Sequence, residues 1–123
     1  MKTFILVGIG GFIGSYLRYV ISVQIQQKLL SSFPFGTFTV NIVGCFIIGV
    51  LYALSTRYNL APEYRLLLAT GFCGGFTTFS SFSIEGIVLL QDAQFLYGFL
   101  YAGLSLIVGF FAAWLGLTLV RML

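Results

Sequence analysis

Histidine is missing from all 123 residues, which removes the commonest metal ligand and proton shuttle. Charge is nearly as scarce. Six Lys or Arg and three Asp or Glu make up 7% of the chain, against about a quarter in a soluble domain. So little charge cannot cover a molecule with polar surface, so its solvent must largely be lipid. The net charge of +3 does not point to nucleic acid, because the six basic residues are scattered toward helix ends, as in membrane anchoring. Cysteine occurs twice, at Cys45 and Cys73, both inside apolar runs and without C-x-x-C spacing. That excludes a disulfide framework and leaves buried free thiols as the reading. Proline also occurs twice, at Pro34 and Pro62, each in a polar connection.

What fills the chain instead is hydrocarbon: 59% hydrophobic residues and a mean hydropathy of +1.07. About 20 apolar residues cross a bilayer as a helix. Four such segments are predicted, at residues 4–24, 36–55, 66–90 and 95–120. They use almost the whole chain, so residues 1–123 read as one four-helix transmembrane domain of the all-α class. The N-terminal run has the look of a secretory signal, but Ser15-Tyr16-Leu17-Arg18 follows where a small-residue cleavage site belongs. It reads as a retained first helix.

The third segment departs from plain hydrocarbon. From Gly71 to Ser83 it runs G-F-C-G-G-F-T-T-F-S-S-F-S, three glycines and then five hydroxyl residues between aromatics. Glycine is a poor helix former, and a Gly pair beside Thr-Thr predicts a local break. Inside a bilayer, broken backbone is tolerated only where protein buries it or water lines it, so this stretch reads as the working site. The other segments carry stripes. Thr37, Asn41, Cys45 and Gly49 recur every four residues, with Gly44 beside them, and so share one helix face. An amide such as Asn41 would be unsatisfied against lipid and must face protein or water. Tyr97, Tyr101, Ser105 and Gly109 form a second stripe, continued by Ala112 and Gly116. As a stripe it suits helix packing better than a pore. Gly10 and Gly14 make a G-x-x-x-G step in the first segment. The glycine faces of the first and fourth helices are candidate surfaces for self-association. Arg18 is either a snorkelling anchor or a charge that attracts an anion or fixes a helix. Glu85 is the only carboxylate expected within a span.

Catalysis is hard to build from these parts. No Ser-His or Cys-His pair exists, no second carboxylate stands near Glu85, and no ligand cluster is present. Permeation needs only a path of polar atoms. Hydroxyls and an amide N–H donate hydrogen bonds, and the edge of a Phe ring carries partial positive charge. Together they suit a small, strongly hydrated anion, without choosing which one. Four helices from a short chain can barely surround a pore, so self-association is expected. With both termini on one side, Lys2, Arg57, Arg65 and Arg121 oppose Arg18 and Lys28, a weak orientation bias.

Three motifs carry a family resemblance over the whole chain: G-G-F-I-G-S-Y-L-R ending at Arg18, T-V-N-I-V-G around Asn41, and the Gly71–Ser83 run followed by Glu85. They resemble the Fluc/CrcB fluoride channels of the bacterial plasma (inner) membrane. The resemblance implies an antiparallel, dual-topology homodimer with two fluoride pores, letting cytoplasmic fluoride leak outward down its gradient. It implies one structural sodium ion at the dimer centre, held by the backbone carbonyls of Gly74 and Thr77 from each chain. Phe79 and Phe82 would form an aromatic box around fluoride, with Asn41 as the pore amide. Ser80, Ser81, Thr37, Tyr101 and Ser105 would continue a polar track with Glu85 nearby, and Arg18 matches the family's helix-1 arginine. Two rivals remain. A small proton-coupled exporter would need an acid deep in its first helix, which this chain lacks. A non-transporting assembly subunit would use the polar stripes to bind a larger partner.

Overall fold

The computed structural model describes residues 1–123, and its backbone is helical almost throughout. Helix α1 spans Lys2–Leu29 and α2 spans Phe35–Tyr58. The third crossing is split into α3, residues 62–76, and α4, Phe79–Gln91, and α5 spans Phe95–Met122. All four crossings are long and apolar enough to span a membrane. At 28 residues, α1 is about 42 Å long, beyond the ~30 Å of hydrocarbon in a bilayer. That excess explains why each helix outruns its apolar segment. The predicted turn from residue 24 onward is still helix as far as Leu29, because Gln and Lys are good helix formers. The Gln26 side chain also organises the connection. Its amide nitrogen, Nε2, donates to the Ser31 and Phe33 carbonyls (2.6 and 3.1 Å), and its Oε1 accepts from the Gly36 N–H (3.1 Å).

The helices pair off. α2 lies along α5, and α1 lies along α3, with a smaller α1–α2 contact joining the pairs. Both main seams are backbone against backbone, and glycine makes this possible. A Cβ at Gly14 would collide with the Phe72 carbonyl oxygen and stand 2.9 Å from the Phe76 nitrogen. One at Gly10 would collide with the Leu67 carbonyl oxygen. From the other side, Gly71 and Gly75 admit α1. In the second seam Gly49 meets the Ala113 carbonyl and Gly116 meets the Phe46 carbonyl. The glycine faces expected to join subunits are therefore consumed inside one subunit. A small-residue stripe accepts any helix whose backbone can come close, and here each is filled by the next crossing but one of the same chain, the first by the third and the second by the fourth.

The break falls inside the predicted run, but at its threonines and not at its glycines. Gly71, Gly74 and Gly75 are helical, Gly71 in a π-helical stretch covering Arg65–Cys73 that sequence periodicity did not signal. The chain leaves the helix at the two threonines, with Thr77 at φ −93°, ψ 156° and Thr78 at φ −149°, ψ 117°. β-branched residues favour such extended angles, whereas the glycines are needed for close approach to α1. Thr78 then caps α4, its Oγ1 accepting from the Ser81 N–H at 3.2 Å.

Candidate functional site

At the break, a cavity of about 360 Å³ opens between α2, the third crossing and α5. Its walls include Asn41, Gly74, Thr77, Phe79, Phe82 and Ser105, six of the residues singled out from sequence, together with Cys45, Cys73 and Thr78. The Asn41 amide does not point at lipid. Its Nδ2 donates to the Thr78 carbonyl at 3.1 Å, and its Oδ1 accepts from the Thr78 N–H at 2.7 Å. Ser105 Oγ is buried yet has no hydrogen-bond partner, although it belongs to a residue on the cavity wall. Burying a hydroxyl unsatisfied costs about 1–3 kcal/mol, so a ligand or water in the cavity is its natural partner. The N-terminus of α4 opens on the same space and brings the positive end of its dipole.

Beyond Phe82 lies a carboxylate held by two hydroxyls. Thr37 Oγ1 donates to Glu85 Oε1 at 2.7 Å, and Tyr101 Oη donates to Glu85 Oε2 at 2.8 Å. Tyr101 is wholly buried, its ring centroid 5.0 Å from that of Phe82 and 5.4 Å from that of Phe33. Two further cavities, one against α1 and the α1–α2 connection and one toward Asp92 and Gln94, both reach Glu85. Phe79 and Phe82 share a face as expected, with ring centroids 5.6 Å apart. Phe79 is nevertheless 79% exposed on the single subunit.

Three of the expected residues, Ser80, Ser81 and Arg18, belong neither to the cavity wall nor to the Glu85 cluster. The Ser80 and Ser81 hydroxyls are each 3.2 Å from Thr78 Oγ1, so they belong to the cap of α4 and do not line the cavity. Arg18 lies on the α1 side of the break, where its Nε donates to the Gly75 carbonyl at 3.0 Å. It fixes one helix to another and does not snorkel to an interface. The guanidinium supplies a donor for a carbonyl next to the disrupted backbone. Thr78 is the residue whose importance the sequence reading missed. Its signal was present, since a Thr three residues before Ser81 at the start of an apolar run is an N-cap pattern.

The chain matches the family described as CrcB-like protein, Camphor Resistance (CrcB), over residues 5–117. It is 43% identical over 122 residues to a protein of Flavobacterium psychrophilum called fluoride-specific ion channel FluC, covering 98% of each chain. A protein of the same name from Chlorobium phaeobacteroides is 49% identical over 117 residues, 94% of this chain and 90% of the relative. One from Rhizobium etli is 45% identical over 120 residues, covering 97% and 96%. With four membrane-length helices, a broken third crossing and this near full-length match, the chain is a multi-pass membrane protein that belongs to the CrcB-like family.

Proposed function

We propose that the chain is a fluoride channel, and that fluoride passes through the cavity at the break and along the Phe82–Tyr101–Thr37 wall toward Glu85. The observation that carries this reading is the buried Ser105 hydroxyl without a partner, on a cavity that Asn41 and the start of α4 also line. Its donors and ring edges replace part of the hydration shell of a small anion. The names of the relatives supply the choice of fluoride. In proteoliposomes, fluoride efflux is expected to fall by roughly tenfold or more in Phe82→Ile and Ser105→Ala, with negligible chloride flux in the parent protein. Unchanged fluoride flux in both variants would remove the path from this cavity.

The working unit is proposed to be an antiparallel homodimer in the bacterial inner membrane. Half-helix α4 supports this, for it packs lightly on its own subunit and leaves Phe79, Ser80, Ile84 and Ile87 exposed. Backbone carbonyls at the break also need a partner at membrane depth. Thr77 O accepts no hydrogen bond from the backbone or from any side chain. The residue that would serve Gly74 O in an unbroken helix, Thr78, sends its N–H to Asn41 instead. Two bare carbonyls per chain, with open space beside Gly74, fit a hard monovalent cation, and sodium would be held there at the dimer centre. When bound, it would supply positive charge to oxygens that otherwise have none. Efflux of cytoplasmic fluoride down its gradient is the physiological direction proposed.

Orientation provides an independent check. Arg18 is bonded to Gly75 within the bundle, so the basic residues at the membrane surfaces number four against one. Lys2, Arg57, Arg65 and Arg121 are gathered at the end bearing both termini, with Lys28 at the other. The positive-inside rule then favours cytoplasmic termini more strongly than the raw count suggested. C-terminal reporter fusions are expected to show both orientations, with that form in excess. Strictly one orientation would sink the antiparallel homodimer while leaving fluoride conduction to its own test.

A further inference from the structure

The geometry at the break points to a role for Asn41 beyond lining a pore. We propose that Asn41 is the positioning residue that holds the third crossing open, by keeping the Thr78 N–H away from the Gly74 carbonyl.

A continuous α-helix would send the Thr78 N–H to Gly74 O and would have Thr78 O accept from the Phe82 N–H. Neither bond forms. The N–H is taken by Asn41 Oδ1 at 2.7 Å, and the carbonyl is taken by Asn41 Nδ2 at 3.1 Å. One side chain therefore satisfies both backbone groups of the residue at the centre of the interruption. This matters because extended backbone inside a bundle needs some partner, and water is scarce there. Asn suits the task because a primary amide has a donor and an acceptor side by side, matching a peptide unit. The wedge reaches Thr78 from a fixed base. Gly44, one turn along α2, abuts Thr77 Cγ2 with no room for a side chain, and Val40 next to Asn41 is fully buried.

Removing the wedge has a directional consequence. Thr77, whose ψ of 156° now aims the Thr78 N–H away from the helix, would regain helical angles, that N–H would return to Gly74 O, and an oxygen assigned above to sodium would be lost. The sodium part of this inference rests on the proposed channel reading. The backbone part does not, because it needs neither fluoride nor a bound cation.

The test uses the full chain, purified in nanodiscs with labelled threonine, and reads the carbon chemical shifts of Thr77 and Thr78. In the parent protein these are expected to be of extended type. In Asn41→Ala the Thr77 shifts should move toward helical values or broaden by exchange. Asn41→Asp keeps an oxygen for the Thr78 N–H and should remain extended. The sodium concentration that half-maximally stabilises the assembly is expected to rise roughly tenfold or more in Asn41→Ala, and to be unchanged in Ser105→Ala. Extended Thr77 and Thr78 shifts in a folded Asn41→Ala protein would overturn the proposal, as would helical shifts in folded Asn41→Asp. If the shifts respond as expected but no sodium stabilisation or fluoride flux is found in the parent, the positioning role stands and the channel reading falls.

Discussion

Gly14→Leu is expected to leave almost no monodisperse protein after extraction in detergent, whereas Gly8→Leu should behave like the parent. Both glycines lie in α1 and pay the same helical propensity difference, so the contrast isolates packing. At Gly14 an added Cβ strikes the Phe72 carbonyl and lies 2.9 Å from the Phe76 nitrogen, and neither is the flexible end of a side chain. At Gly8 nothing lies within 4 Å. To relieve the clash α1 must move off α3, which separates the Gly10 and Gly71 contacts and pulls Arg18 away from the Gly75 carbonyl. Overpacking a tight contact costs about 1–3 kcal/mol and more where backbone must shift, and losing the half-buried Arg18 hydrogen bond with it adds about 1–2 kcal/mol. Size-exclusion yield and thermal melting of the detergent-solubilised protein check this. Normal yield and melting of Gly14→Leu would mean that the α1–α3 seam is not the one described.

Tyr101→Phe is expected to lower stability by about 1.5–3 kcal/mol, the range for a hydrogen bond to a charged group. It should also depress fluoride flux if the path follows the proposed wall. The substitution leaves the ring in place between Phe33 and Phe82, so packing hardly changes. What changes is Glu85 Oε2, which loses its donor in a site where Tyr101 is wholly buried. Thr37→Val makes the matching deletion at Oε1. Because both hydroxyls serve one carboxylate, the double variant should depart from additivity. Two independent effects that simply sum would show that Glu85 is not their common partner. A folded Tyr101→Phe protein that melts with the parent would show that the carboxylate is adequately served by Thr37 or by water from the adjoining cavities.

Much of this was legible in the residues themselves. Four crossings follow from apolar run length, because a bilayer core has one thickness and helices rise by a fixed amount per residue. Asn41 was bound to face protein, since an amide in hydrocarbon has no alternative partner. A break within Gly71–Ser83 was also readable, but not which of its residues would leave the helix. Glycine marks both a weak helix and a close approach, and here the glycines serve approach while Thr77 and Thr78 supply the extended backbone. The winding of the third crossing before the break was equally opaque, for nothing in the pattern from Arg65 to Cys73 announces a π-helix.

Sequence alone determined the solvent of this protein, the number of crossings and the list of polar groups that could not be left facing lipid. Each of those is a local property, settled by the transfer of a side chain or a helix between water and hydrocarbon. Tertiary structure decided the partners: Arg18 with the Gly75 carbonyl, Asn41 with both sides of Thr78, Glu85 with Thr37 and Tyr101, and the glycine stripes with helices of the same chain. A need for a donor or a smooth surface is written in the residue, but several candidates could meet it. Which one does is set by how the connections order the helices and by which backbones can come close enough to touch.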